Sequence, residues 1–212
     1  MQPSQGTREP GRASLLSRAR IADPRALRVP SHARAHLVKL LRFTLAVAAL
    51  VIGLPLLVAA FMNSTWEVEV KRTIGAPPAA VHPWLDRMER WESWAVEDPA
   101  TRTVRDGPPA GPGAVRRWEG SRIGRGRIEL TASNPARGVW FDVHLGDEPR
   151  VIRAAIMLAP GAEGASEVTF VCRGDVGPNP LKKLVLPSAL GEIERGLARA
   201  LQRLAQRVEG SD

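Results

Sequence analysis

The stretch FTLAVAALVIGLPLLVAAFM, Phe43 to Met62, contains 20 residues without a charge, and Thr44 is its one polar side chain. As a helix it reaches about 30 Å, the thickness of a bilayer's hydrocarbon core. A core helix of a soluble domain seldom stays apolar on every side for so long. Gly53 and Pro55 lie inside the run, and both are tolerated in a membrane helix. The run predicts a transmembrane helix over residues 37–62. The alternative is a signal peptide cleaved at the small residues Val58-Ala59-Ala60. A usual signal core has only about 7–15 apolar residues, which favours an uncleaved anchor.

Flanking charge sets an orientation. Lys39 and Arg42 abut the run and seven arginines precede them, whereas the far side opens with Asn63, Ser64, Thr65, Trp66, Glu67 and Glu69. The positive-inside rule then predicts a single-pass cell-membrane protein with a cytoplasmic N-terminus and an extracytoplasmic C-terminal domain. The chain's formal net charge is +8. Residues 1–42 hold nine Lys/Arg against two acids, and the rest hold 21 against 20. The basicity belongs to the tail, so a nucleic-acid domain, which carries its basic patch on the folded part, is not expected. Residues 1–36 show no sustained apolar period and read as a disordered basic tail. An Arg-rich targeting peptide and a start site set too far upstream remain open alternatives there. The single cysteine, Cys172, excludes an intramolecular disulfide and a CxxC metal or redox site.

Residues 63–212 read as one domain. Trp66, Val68 and Val70 alternate with Glu67, Glu69 and Lys71, which is a half-buried strand. GAPP (Gly75–Pro78) stops it, and proline suits the first turn of a helix. Val81, Leu85 and Met88 recur at helical spacing, and a second short helix carries Trp91 and Trp94. Strand-like runs follow at 101–104, 114–119, 127–131, 139–145, 152–158 and 168–172, separated by turn-rich connections. Such strands form an antiparallel meander. Asn179 and Pro180 open a last helix, with Pro187 expected to kink or restart it. Its stripe of Leu186, Leu190, Ile193, Leu197, Leu201, Leu204 and Val208 lasts about six turns.

The order and several local pieces resemble the START-like (SRPBCC, helix-grip) superfamily, and within it the polyketide cyclase/dehydrase-type branch. The pieces are IGAPPAAVHPWL from Ile74, RWESWAVEDP from Arg90, GPGAVRRWEG from Gly111, GRIEL from Gly126 and EIERGLARAL from Glu192. The resemblance implies an α+β helix-grip fold. A curved antiparallel sheet of six to seven strands would wrap a long C-terminal helix, with two short helices after strand 1 and a membrane span ahead. It also implies a family of lipid carriers, hydrophobic-ligand binders and cyclases, among which fold does not choose.

Half of the six tryptophans fall in the eleven residues from Trp84 to Trp94. In a helix grip the two short helices plug one end, so Trp91 and Trp94 are expected at a cavity mouth, with Trp118 facing them from a strand. The same rings also serve to weld the plug to the sheet, since each buries about 150–250 Å². Arg72 shares parity with Val68, Val70 and Ile74. Pointing inward, it would anchor a ligand carboxylate or phosphate; a bulge or strand end would return it to solvent. Asp142 and His144 lie opposite in parity to Phe141 and Val143, and read as an exposed polar pair more than as an acid–base pair. No metal-ligand spacing, nucleophile elbow or phosphate-loop motif occurs, and GSRIGRGR (Gly120–Arg127) reads as a hairpin turn. Arg195, Arg199, Arg203 and Arg207 make a basic ridge, read as a solvated face, with anionic headgroups as the alternative partner.

The expected function is membrane-anchored enclosure of a hydrophobic small molecule or lipid, without metal or cofactor. The alternatives are a cyclase or dehydratase using acid–base residues in the cavity, and an interaction module whose core its own side chains fill.

Overall fold

The computed structural model describes residues 31–95, 101–121 and 124–210. Most of the tail expected to be disordered, residues 1–30, lies outside them. The chain divides into two units, residues 1–49 and 50–212. Helix α1 (Ser31–Phe61) has 31 residues. It begins ahead of residue 37, so 31–36 are helical rather than part of the irregular tail; a nucleated helix adds a hydrogen bond for each residue it fixes. Within it, Val38–Phe61 is long and apolar enough to cross a membrane, and Leu45, Leu50, Ile52 and Leu57 are exposed.

Seven strands follow: β1 (Thr65–Ile74), β2 (Arg102–Asp106), β3 (Val115–Gly120), β4 (Gly124–Asn134), β5 (Gly138–Leu145), β6 (Ile152–Pro160) and β7 (Ser166–Asp175). All pair antiparallel in one sheet, ordered β1-β7-β6-β5-β4-β3-β2. The last strand therefore returns beside the first, and β1 and β2 are the edges. Every predicted strand is present within a few residues of its expected ends. Trp66 lies in β1. Gly120 pairs with Gly124 across the β3–β4 connection, as a hairpin requires. At the β4–β5 turn, Ala136 N–H donates to Asn134 Oδ1 at 3.0 Å. Gly138 closes that turn at φ 109°, where a Cβ would lie 1.9 Å from the Ile156 carbonyl oxygen, so no other residue fits.

Between β1 and β2 lie α2 (Pro78–Asp86) and α3 (Trp91–Trp94), and after β7 comes α4 (Pro180–Glu209). Asn179 caps α4, its side chain accepting from Leu181 N–H at 2.9 Å. The helix runs unbroken through Pro187, which removes a single intrahelical bond, so the expected restart does not occur. The core face of the sheet carries Ile74, Leu130, Val139, Phe141, Ile156, Val168 and Phe170. From α4 it receives Ala200, Leu201, Leu204, Ala205 and Val208. The expected six-turn stripe is thus buried only in its second half. Leu186, Leu190, Ile193 and Leu197 are half-buried, and Leu181, Leu184 and Val185 are exposed. Near the start of α4, the buried Lys183 donates from Nζ to the Ala60 carbonyl at 3.0 Å, satisfying one of the free carbonyls at the end of α1.

Candidate ligand cavity

The tryptophan cluster is explained by two tasks done by the same rings. α2 ends at Asp86, and its last carbonyls have no helical partner. Trp91 Nε1 donates to the Leu85 carbonyl at 2.8 Å and Trp94 Nε1 to the Trp84 carbonyl at 3.2 Å. The indoles therefore cap α2 while their rings turn toward the sheet. Trp91 and Trp94 lie 5.0 Å apart between centroids, and Trp91 meets Phe141 edge-on at 5.0 Å. Phe141 continues the aromatic line to Phe170 at 6.0 Å. Such tilted and edge-on pairs are the favoured geometry. α3 is then clamped to α4, because Arg203 Nε donates to the Trp94 carbonyl at 2.7 Å and Arg207 Nε to the Ser93 carbonyl at 3.4 Å. Half of the basic ridge read as a solvated face is therefore a fastening for the plug.

These elements line a partly open cavity of about 390 Å³ between the core face of the sheet and α4. Trp91, Trp94, Phe141, Phe170, Leu197 and Ala200 form much of its wall. Its volume is in the range of small-molecule pockets, about 300–1,000 Å³, and equals roughly a dozen water-sized groups. Of the expected site residues, Trp91, Trp94 and Trp118 line this cavity. Trp91 and Trp94 are buried wall rather than mouth; the exposed lining residue is Leu145. Trp118 lies across from Gly126, where a Cβ would be 2.2 Å from the ring's Cζ2, so glycine makes room for the indole. Arg72 is exposed on β1 and does not line the cavity. No bulge interrupts the β1–β7 register; the position lies on an edge strand, open to water.

The lining holds few polar groups. Arg116, 5% exposed, directs its side chain from β3 into the cavity wall. Its Nη2 donates to Thr103 Oγ1 at 3.3 Å. Burial pushes its guanidinium below its ordinary value, Glu92 acts against this and Arg105 adds to it. The group remains a cation at neutral pH. Glu92 itself pairs with Arg105 at 3.1 Å. Nothing in the sequence reading singled out Arg116, although it shares strand parity with Trp118. Cys172 also lines the cavity, and burial pushes its thiol up to about 12.

Asp142 and His144 stand on the opposite sheet face, where Arg127 Nη2 lies 3.2 Å from His144 Nε2. His82 is buried, with Nε2 3.0 Å from Ser133 Oγ, and Ser133 donates to Asp86 Oδ1. A hydroxyl that donates to the acid and receives from the histidine is held between them, which ties α2 to β4 and leaves no activated nucleophile. A larger depression, about 890 Å³, runs along β1, β6 and β7. The exposed Glu67–Arg173 ion pair lies in its wall. Among the described residues no group of three His, Cys, Asp or Glu is placed to hold a metal.

Residues 65–209 match the profile of the family described as polyketide cyclase/dehydrase and lipid transport. Comparison with curated proteins finds no match. Among solved structures, the protein of unknown function SA2116 from Staphylococcus aureus is similar at a TM-score of 0.56 and 14% identity, covering 70% of this chain and 96% of that one. TTHA0849 from Thermus thermophilus is similar at 0.54 and 18%, covering 69% and 99%. MLL2253 from Mesorhizobium loti is similar at 0.53 and 19%, covering 69% and 99%. At these identities the likeness shows the fold alone.

Proposed function

The chain belongs to the polyketide cyclase/dehydrase and lipid transport family, and within it we propose that this member encloses one hydrophobic small molecule between its sheet and α4 while anchored to a membrane. The observation that carries the reading is the cavity of about 390 Å³ walled by Trp91, Trp94, Phe141 and Phe170. Its volume suits a single-tailed or ring-shaped molecule better than an entire two-tailed lipid. Among the described lining residues there is no His, Asp or Glu. That supports enclosure over acid–base catalysis, since general acid–base work needs a titratable group within hydrogen-bond reach of the reacting atoms. The void itself speaks against a filled interaction module. Anchoring rests on Val38–Phe61 and on the basic flank before it. The tether would keep the cavity beside the bilayer, where such ligands partition.

Two measurements test this reading. The full-length protein in lipid nanodiscs is titrated with 1-aminoanthracene, a neutral fluorescent probe. Saturable one-to-one binding with quenching of tryptophan emission is expected; uptake no greater than that of empty nanodiscs refutes enclosure. Reporter fusions after Met62 and at Asp212 are expected to be active only in their extracytoplasmic form. Cytoplasmic activity at both sites contradicts the orientation.

A further inference from the structure

The cavity wall holds a buried cation, Arg116, that makes no ion pair among the described residues. Arg116 is 5% exposed. Among the described residues no carboxylate lies within ion-pair distance of it, and its Nε has no hydrogen-bond partner. Two residues along the same strand face, the indole Nε1 of Trp118 is also buried without an acceptor. Both side chains line the cavity. Thr103, which pairs with Trp118 across β2 and β3, receives only the Nη2 edge of the guanidinium. Glu92, the acid that acts on Arg116, is engaged by Arg105.

A buried arginine without a counter-ion is costly, and so is a buried N–H without an acceptor. Two such donors belong to side chains on one strand face that both line the cavity, and one oxyanion drawn between those side chains would satisfy both. A carboxylate presents two oxygens to two donors, and charge-assisted bonds of this kind are the strong ones. The apolar remainder of the same molecule would lie against Phe141, Phe170, Leu197 and Ala200.

We propose that the cavity's ligand is an amphipathic carboxylic acid, its carboxylate held by the side chains of Arg116 and Trp118 and its single tail or ring system lying in the aromatic wall. This rests on the reading of the cavity as a ligand site, and it names the class of molecule that site takes. It also moves the anchoring role anticipated for Arg72 to a residue that reaches the cavity.

The test uses the full-length protein in neutral-lipid nanodiscs, with tryptophan quenching read against matched probes of one length: decanoate, 1-decanol and decylammonium. The expected order is decanoate first, by roughly tenfold or more over 1-decanol, and decylammonium last. R116M, which keeps the apolar stem and removes the charge, is expected to erase the preference for decanoate while 1-decanol binding persists. W118F, which keeps an aromatic ring and removes the N–H, is expected to weaken decanoate severalfold more than it weakens 1-decanol. Thermal unfolding confirms that each variant folds, and W118F carries the test if R116M does not fold. Equal affinity for decanoate and 1-decanol, or an undiminished decanoate preference in both variants, overturns the carboxylate proposal and leaves the cavity reading standing. Absence of binding by all three probes overturns both.

Discussion

Replacing Gly196 by leucine asks whether the space between α4 and the sheet is a real void and the ligand's place. Gly196 lies inside α4 and lines the cavity. A Cβ built there meets nothing within 4 Å, so the substitution enters open space instead of forcing a neighbour aside. Gly196→Ala alone removes the glycine penalty of a helix interior, about 1 kcal/mol. Leucine keeps that gain and buries part of its side chain against the wall, for about 1 kcal/mol more. The sum of about 2 kcal/mol corresponds to roughly 4–8 °C in Tm for a domain of this size. Thermal unfolding of the full-length protein followed by circular dichroism reads the first effect, and titration with 1-decanol reads the second. G196L is expected to melt higher and to bind 1-decanol at least about tenfold more weakly, with G196A raising Tm and leaving binding nearly unchanged. A leucine variant that melts lower has met a filled core, and one that melts higher but binds as before shows that the ligand lies elsewhere. Either result refutes the reasoning.

Phe141→Ala removes a 3%-exposed ring that joins Trp91 to Phe170; a loss of about 3–5 kcal/mol is expected in denaturant unfolding, and a loss below about 1 kcal/mol indicates a collapsible wall. Ser133→Ala strands His82 and Asp86 and is expected to cost about 1–3 kcal/mol, read from the shift of the urea midpoint at constant slope. The Cys172 thiol, pushed up to about 12, is expected to resist alkylation at pH 8 in the folded protein and react readily in urea. Because the folded state keeps this proton to higher pH than the unfolded chain, its linkage lowers stability as pH rises from the ordinary thiol value toward about 12. Fast alkylation of the folded protein at pH 8 contradicts the burial on which that sign depends.

Much of the architecture was legible because it rests on period and bulk. The alternation of Trp66, Val68 and Val70 and the common parity of Val139, Phe141 and Val143 fix which way strands face. That Trp91 and Trp94 weld the short helices to the sheet was legible because large rings beside a helix end have few places to go. Arg116 was not, since the run Val115-Arg116-Arg117-Trp118 has no apolar alternation. The usable signal was that Arg116 and Trp118 share a face, and Trp118 was already expected to look inward. Arg72 misled for the converse reason: its inward parity lies on an edge strand, and parity says nothing about whether another element covers that edge. The extent of burial along α4 was hidden in the same way, because the spacing of Leu186, Leu190 and Ile193 continues past the end of the sheet that covers Leu201 and Leu204. The Ser133 contact joins residues 47 and 51 apart in sequence, and only the packing of α2 on β4 brings them together.

The most direct test of the central claim is native mass spectrometry of the full-length protein, extracted in mild detergent and released gently from the carrier. The account predicts a single additional mass, that of one small amphipathic molecule bearing an acid group, present in the native protein and absent from G196L. A bare native chain that also takes up no added decanoate or 1-decanol contradicts it.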